Sequence, residues 1–217
     1  FRGKVVLLPC DDPEWSNFVK YFVAHFTQYG LTRLIATSYA QGTSTRGKKL
    51  VLDVKDSWAG NALQWEYLQG DGDFRSEEVT ALRGEADIVV TNPPFSLFRE
   101  FLAWMVEGDV KFAVIGNLNA VTCKDVFPLI KDNKIWLGNN YAFNGGAMFY
   151  EIPESIANLD QVREIRTDDS GKKTYITRVQ GVRWYTNIEH GRRHEPIPLM
   201  TEADNIKYSK HKQVKGT

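Results

Sequence analysis

The chain reads as an α/β protein built on a doubly wound, largely parallel sheet. Two observations predict this. Apolar, β-type runs alternate with helix-period segments through the middle of the chain, the pattern of consecutive βαβ units. In addition, Ala86-Asp87-Ile88-Val89-Val90 ends directly in Thr91-Asn92-Pro93-Pro94-Phe95-Ser96. A β-branched run stopped by Asn-Pro-Pro-aromatic reads as a parallel strand that delivers a rigid loop at its carboxyl end, where open α/β sheets bind their ligands. The 217 residues suffice for one substantial domain with a real core.

The elements follow in order. Val5-Val6-Leu7-Leu8 is a buried-type strand ended by Pro9. Asp12 is expected to cap a helix over residues 15–29, with Pro13 at its first position and Gly30 stopping it. Phe18, Tyr21, Phe22 and Phe26 share one face of that helix. Residues 34–37 form a second strand, followed by Ser38-Tyr39 and a soft segment, 41–47, expected to be a mobile loop. Residues 50–54 look like an extra strand. Gly70-Asp71-Gly72-Asp73-Phe74 is a turn, and Ser76 caps a short helix to Leu82.

Residues 88–90 are the central strand. Ser96 is expected to cap a helix over 97–105, with Phe98, Phe101 and Leu102 inward. A strand at 112–116, a brief helix at 125–130 and strands at 135–137 and 147–150 follow. Beyond Pro153 the pattern changes. Residues 175–179 and 182–186 read as late, more polar strands, and order fades after His190. This divides the chain into a core, residues 1–153, and a carboxyl-terminal extension, residues 154–217.

Charge is unevenly spread. Residues 172–217 hold ten Lys and Arg against four Asp and Glu, so a tail of formal charge +6 offsets a body of −6. That permits a nucleic-acid-facing tail and equally a solvated terminus. No run approaches 18 apolar residues, so no membrane span is expected, and the amino terminus carries no secretory apolar region. Two cysteines, Cys10 and Cys123, imply no disulfide framework and fit a reducing cytoplasm. Neither cysteine, nor any of His25, His190, His194 and His211, has partners at metal-ligand spacing, so no metal is expected.

The Asn-Pro-Pro-Phe loop carries the chemistry. An exocyclic amine on an aromatic base is a poor nucleophile because its lone pair is delocalised into the ring. A site that methylates it must accept its hydrogen bonds and hold it in line with the methyl group. The Asn92 side-chain oxygen can accept one bond and the Pro93 carbonyl another, and proline brings no competing N–H. Pro93 and Pro94 stiffen the loop, so the acceptors are preorganised. Phe95 can stack on the base.

Asn92-Pro93-Pro94-Phe95 resembles the catalytic motif of amino-methyltransferases, above all those acting on adenine N6 in DNA. The wider chain resembles the EcoRI-type adenine-specific modification methylases. The resembling stretches are residues 8–18 (including Pro9-Cys10-Asp11-Asp12-Pro13-Glu14-Trp15-Ser16-Asn17), 86–98, 115–120 (Ile115-Gly116-Asn117-Leu118-Asn119-Ala120), 132–138 and 182–187 (Val182-Arg183-Trp184-Tyr185-Thr186-Asn187). The resemblance implies the Rossmann-like fold of class I S-adenosylmethionine-dependent methyltransferases. It implies methyl transfer from S-adenosylmethionine to a flipped adenine in double-stranded DNA, in a bacterial or phage-encoded cytoplasmic restriction-modification system. A cognate endonuclease would share the site without a stable complex. Asn92, Pro93 and Pro94 would bind the target amine and Phe95 would stack on the base. Family members also carry more chain beyond this end.

For the cofactor, the Gly-rich loop typical of the wider class is replaced by Pro9-Cys10-Asp11-Asp12-Pro13. Amides near Ser16 and Asn17 can face a carboxylate. Asp11, ahead of Asp12, is the better partner for the ammonium of the methionine moiety, while Asp12 can also simply cap the helix. Ser38 stands where many such folds place a ribose-binding acid. Asp73 and Phe74 are the pair expected to receive the cofactor's adenine. For DNA, Arg183, Arg192, Arg193, Lys207, Lys210 and Lys212 are the phosphate candidates, with Lys172 and Lys173 as further options, and Trp184 offers either an aromatic surface or core packing. Asn-Pro-Pro-aromatic loops also resemble those of RNA guanine-N2 and protein-glutamine methyltransferases. A non-catalytic DNA-binding module on the same fold is a further alternative.

Overall fold

A computed structural model describes residues 1–40, 46–55, 64–138, 148–152, 154–156, 160, 162–179, 181–191, 193–194 and 199–208. The strands are β1 (Val5–Leu8), β2 (Arg33–Ser38), β3 (Lys48–Asp53), β4 (Trp65–Tyr67), β5 (Ile88–Thr91), β6 (Lys111–Asn117), β7 (Trp136–Leu137), β8 (Met148–Ile152), β9 (Val162–Thr167), β10 (Lys173–Val179) and β11 (Val182–Thr186). The helices that matter to the site are α1 (Asn17–Ala24), α2 (Phe26–Tyr29), α3 (Glu77–Glu85) and α4 (Phe98–Glu107).

The main sheet runs β4-β3-β2-β1-β5-β6-β11-β7. Its centre, β2-β1-β5-β6, is parallel. The outer strands β3, β4, β11 and β7 are antiparallel. The α/β class and the parallel centre agree with the expectation. On one flank β2 and β3 are joined by the short connection 39–47, too short for the crossover that a parallel pair needs. Alternation along β1 divides the core in two. Val6 and Leu8 join Val19, Phe22 and Phe26 on one face, while Leu7 joins Phe101, Leu102 and Met105 on the other.

Several elements differ in detail from the sequence reading. The segment 15–29 is not one helix: it breaks at His25 into α1 and α2. Ser16, not Asp12, is the N-cap, its hydroxyl accepting from Phe18 N at 3.0 Å and Val19 N at 3.4 Å. Asp12 instead closes a turn ahead of the helix, accepting from Glu14 N at 2.8 Å and Trp15 N at 3.2 Å. Ser76 caps α3 as expected, bonding Val79 N at 3.3 Å. Ser96 caps nothing: it lies inside the 3₁₀ turn Phe95–Leu97, which leads into α4 without a side-chain cap.

Strand β8 also departs from expectation. It joins β10 and β9 in a separate antiparallel sheet of order β8-β10-β9 instead of extending the main one. Its expected first residue, Ala147, lies outside the described residues, as do 41–45 of the soft segment. Strand β11, which the sequence placed in the extension, pairs with β6 from Val182↔Asn117 to Thr186↔Ala113. Two side chains lock it there. The Tyr185 hydroxyl donates to Asn117 O at 2.8 Å, and Asn187 accepts from Phe112 N and donates to Val110 O, both at 2.9 Å.

Candidate active site

Strands β1 and β5 are parallel neighbours, so the loops at their carboxyl ends, 9–16 and 92–97, emerge side by side. Together with the end of β2 they border a cavity of about 880 Å³, a size suited to a small-molecule ligand. Of the sequence-predicted residues, Pro9, Cys10, Asp12, Ser38, Asp73, Phe74, Asn92 and Pro94 line it. Three of the predicted cofactor residues do not, nor do Pro93 and Phe95 of the Asn-Pro-Pro-Phe loop. Asp11 and Ser16 are hydrogen-bonded to each other behind the wall, and Asn17 borders a separate apolar groove with Phe18, Tyr21 and Trp184.

One wall depends on close backbone packing. Gly72 has φ +82°, and a Cβ there would come within 2.2 Å of Ser38 O, while one on Gly47 would come within 2.4 Å of the same oxygen. Only glycine permits this approach. Ala40 N donates to Asp71 O at 2.6 Å and Gly47 N to Gly70 O at 2.9 Å, so the Gly-Asp-Gly turn is hydrogen-bonded to both ends of the β2–β3 connection.

Charge at the cavity is paired. Asp73 receives Arg75 Nε at 2.9 Å and Nη2 at 2.6 Å. The Arg75 guanidinium therefore holds the Asp73 carboxyl below its ordinary range. Phe74 is buried against Phe101 and Trp104, with ring centroids 5.0 and 5.4 Å away, and presents only part of its surface to the cavity. Lys48 reaches Asp12 at 3.5 Å, forms a close ion pair with Glu14, and lies 4.7 Å from the Trp65 ring centroid. Its hydrogen bond to Glu14 raises the Lys48 pKa. Burial, aided by the neighbouring Asp11 charge, pushes the Cys10 thiol far up, so it is neutral and no nucleophile.

Sequence reasoning missed Arg46, Lys48 and Arg75, which also line the cavity. Lys48 arrives through the β2–β3 register, Ser38↔Lys48, a long-range pairing with no local sequence signal. Arg75 had one available signal, its place two residues after Asp73.

In the Asn-Pro-Pro-Phe loop, Pro93 is buried whereas Asn92 and Pro94 reach the cavity rim. The Phe95 ring is 51% exposed, open enough to receive a planar partner. Among the expected DNA contacts, Trp184 packs edge-on against Phe18 at 6.0 Å and lines the apolar groove. Arg183 Nη1 donates to Val182 O at 2.8 Å. Arg193 lies 3.6 Å over Trp136, bonds Asn133 at 2.9 Å and pairs with Glu189. Lys207 is exposed on the helix Glu202–Tyr208. Arg192, Lys210 and Lys212 lie outside the described residues. No His, Cys, Asp or Glu cluster able to hold a metal occurs among the described residues. No described helix is long and apolar enough to cross a membrane.

A parallel sheet centre with a ligand-sized cavity at the carboxyl ends of β1, β2 and β5 defines a Rossmann-like α/β fold of the methyltransferase type. A family model described as adenine-specific methyltransferase EcoRI matches residues 1–216, and the chain belongs to that family. It is 40% identical to the type II methyltransferase M.EcoRI of Escherichia coli, over 92% of this chain and 62% of that protein. It is 31% identical to the type II methyltransferase M.MpnI of Mycoplasma pneumoniae, over 94% of this chain and 59% of that protein. Identity to M.MgeORF184P of Mycoplasma genitalium is 32%, over 87% and 55%. The chain thus spans about three fifths of the length of the curated relatives it matches. No solved structure matches it.

Proposed function

We propose that the protein is a site-specific DNA adenine-N6 methyltransferase that uses S-adenosylmethionine and acts in bacterial or phage restriction-modification, in the cytoplasm. The observation that carries this reading is the Asn92-Pro93-Pro94-Phe95 loop, whose Asn92 and Pro94 line the same cavity as Asp12, Asp73 and Phe74.

The cavity's donor set fits S-adenosylmethionine. Asp12 can meet an ammonium, Asp73 can accept from an exocyclic amine, and Phe74 supplies an apolar wall for a base. When bound, the cofactor supplies an activated methyl on a sulfonium, already an excellent leaving group. The chain's part is therefore alignment. The Asn92 side-chain oxygen and the Pro93 carbonyl accept the two amine hydrogens, which turns the nitrogen lone pair toward the methyl group. Phe95 stacks on the flipped base, a contact worth about 1–3 kcal/mol that offsets part of the unstacking cost. Lys207 and the basic residues near the carboxyl end are suited to phosphates. Any cognate endonuclease would meet the same DNA site without binding this protein.

The test is transfer of labelled methyl from S-adenosylmethionine to unmethylated double-stranded DNA, followed by nucleoside analysis. N6-methyladenine formed by the parent and not by Asn92→Ala supports the reading. Label entering RNA guanine or protein glutamine instead, or donor binding without transfer to any acceptor, would refute it.

A further inference from the structure

The fold turns Asp11, a predicted cofactor ligand, away from the cavity while its chain neighbours Cys10 and Asp12 face it. It is 4% exposed. One carboxylate oxygen accepts from the Ser16 hydroxyl at 2.6 Å, and the other accepts from the Thr91 hydroxyl in a close contact. Asp11's own N–H donates to Thr37 O at 2.9 Å, and the Thr37 hydroxyl returns to Pro9 O at 3.1 Å. One side chain thus joins the α1 cap to Thr91, the last residue of β5 and the one that precedes Asn92, and its backbone ties in the end of β2.

No Lys or Arg pairs with Asp11 among the described residues; the hydroxyls of Ser16 and Thr91 are its donors. A buried carboxylate is costly unless such bonds are complete, which makes the arrangement specific in geometry. Holding the Thr91 side chain fixes the end of β5 from which Asn92 follows directly, and Pro93 and Pro94 restrict the backbone beyond it through their fixed φ angles.

Building on the methyltransferase reading above, we propose that Asp11 is a positioning residue: it aims Asn92 at the acceptor amine and does not bind the methyl donor. This assigns the sequence-predicted ammonium contact to Asp12, the acid that faces the cavity.

The test compares the parent protein with Asp11→Asn, Thr91→Val and Thr91→Ser in three measurements. These are donor Kd by calorimetry with S-adenosylmethionine, kcat on double-stranded DNA at saturation, and exchange of the Asn92 amide hydrogen by NMR. Asp11→Asn is expected to lower kcat about 100-fold, as a misplaced reacting group does. It should change donor Kd less than about 3-fold and speed Asn92 amide exchange about tenfold or more. Thr91→Val should show the same pattern more weakly, and Thr91→Ser, which keeps the hydroxyl, should restore it. Retained donor binding also certifies the fold of each variant. A donor Kd weakened tenfold or more in Asp11→Asn, with kcat and amide exchange unchanged, would overturn the proposal and make Asp11 a ligand. If the parent methylates no DNA, the methyltransferase reading fails by itself, while amide exchange and donor Kd still decide whether Asp11 anchors Asn92.

Discussion

The ring of Phe98 lies directly on the backbone of Gly116: a Cβ built on Gly116 would meet Phe98 Cζ at 2.2 Å and Cε2 at 2.6 Å. Phe98 opens α4, shortly after the Asn-Pro-Pro-Phe loop, and also packs edge-on against Tyr185 at 5.0 Å. The missing side chain at Gly116 therefore lets α4, β6 and β11 meet. Gly116→Ala should lower stability by about 1–3 kcal/mol through overpacking of a rigid aromatic. Urea unfolding of the two proteins checks this. An unchanged midpoint would mean that the ring moves freely aside.

The loop's own residues should separate by role. Asn92→Ala should reduce kcat by about 10²–10³ while donor affinity stays near the parent's, because a preorganised acceptor acts on the reacting group. Phe95→Ala should instead weaken productive DNA binding by the ~1–3 kcal/mol of one base stack. Phe95 is half exposed, so its removal should leave thermal stability within about 0.5 kcal/mol. Steady-state kinetics beside a melting curve distinguishes the two variants.

Asp73 should be a donor contact that works over a wide pH range. Arg75 holds its carboxyl below the ordinary value of 3.8, so Asp73 stays ionised throughout neutral and mildly acid solution. Donor affinity should show no loss from Asp73 protonation between about pH 8 and 5. Asp73→Asn should weaken donor binding by roughly tenfold, the loss of a charge-assisted hydrogen bond. Calorimetric titration across pH tests both statements. A parent affinity that tracked a group titrating near pH 6 would exclude Asp73 as the controlling acid.

Acid stability should depend in part on Asp87. It accepts from Val5 N at 2.8 Å and Lys4 Nζ at 2.9 Å, joining the start of β5 to the start of β1. The Val5 amide first, and then Lys4, lower its pKa below the ordinary 3.8. The unfolded chain then binds the proton more readily than the native one. This contribution is present above pH 3.8 and is lost as pH falls through the lower folded value. Asp11 has the opposite sign: burial raises its folded pKa, so ionising it opposes folding as pH rises above the ordinary value. Melting temperature against pH for Asp87→Asn should show a shallower fall on the acid side than the parent.

Arg193 should behave as a structural residue, although its charge marked it for DNA. Its guanidinium is stacked on Trp136 and hydrogen-bonded to Asn133, with the side chain only 17% exposed. Arg193→Ala should cost about 0.5–2 kcal/mol through the lost cation–π contact, and leave the salt dependence of DNA binding unchanged. Lys207→Ala should do the reverse, reducing the salt slope by about one with no loss of stability. Fluorescence anisotropy on DNA at several salt concentrations separates them.

Much of the fold was legible locally. Val5–Leu8 and Ile88–Thr91 are short, apolar and ended by proline or Asn-Pro, so strand type and loop position followed from the residues alone. Cap positions were less legible, because Asp12 and Ser16 are both good caps and the choice falls to whichever side chain the loop aims at the helix. Ser16 points at Phe18 N only because its hydroxyl also serves Asp11, a contact set by the packing of β1 beside β5. The polar pattern of Val182–Thr186 hid its place in the main sheet. Its bonds to β6 bridge residues some 65–73 apart in the chain, which no local periodicity encodes.

By itself the sequence determined that a parallel strand ends at Asn92-Pro93-Pro94-Phe95 and which family pattern the chain follows. Those are properties of residue type and near-neighbour spacing, which hydrophobic period and proline geometry express locally. Only the tertiary structure decided which of two adjacent acids, Asp11 or Asp12, faces the cavity, which cations line it, and that Arg193 and Trp184 pack against the protein itself. Side-chain direction at the end of a strand depends on what other strands bring beside it, and burial lets a carboxylate remain only where groups such as the Ser16 and Thr91 hydroxyls supply its hydrogen bonds.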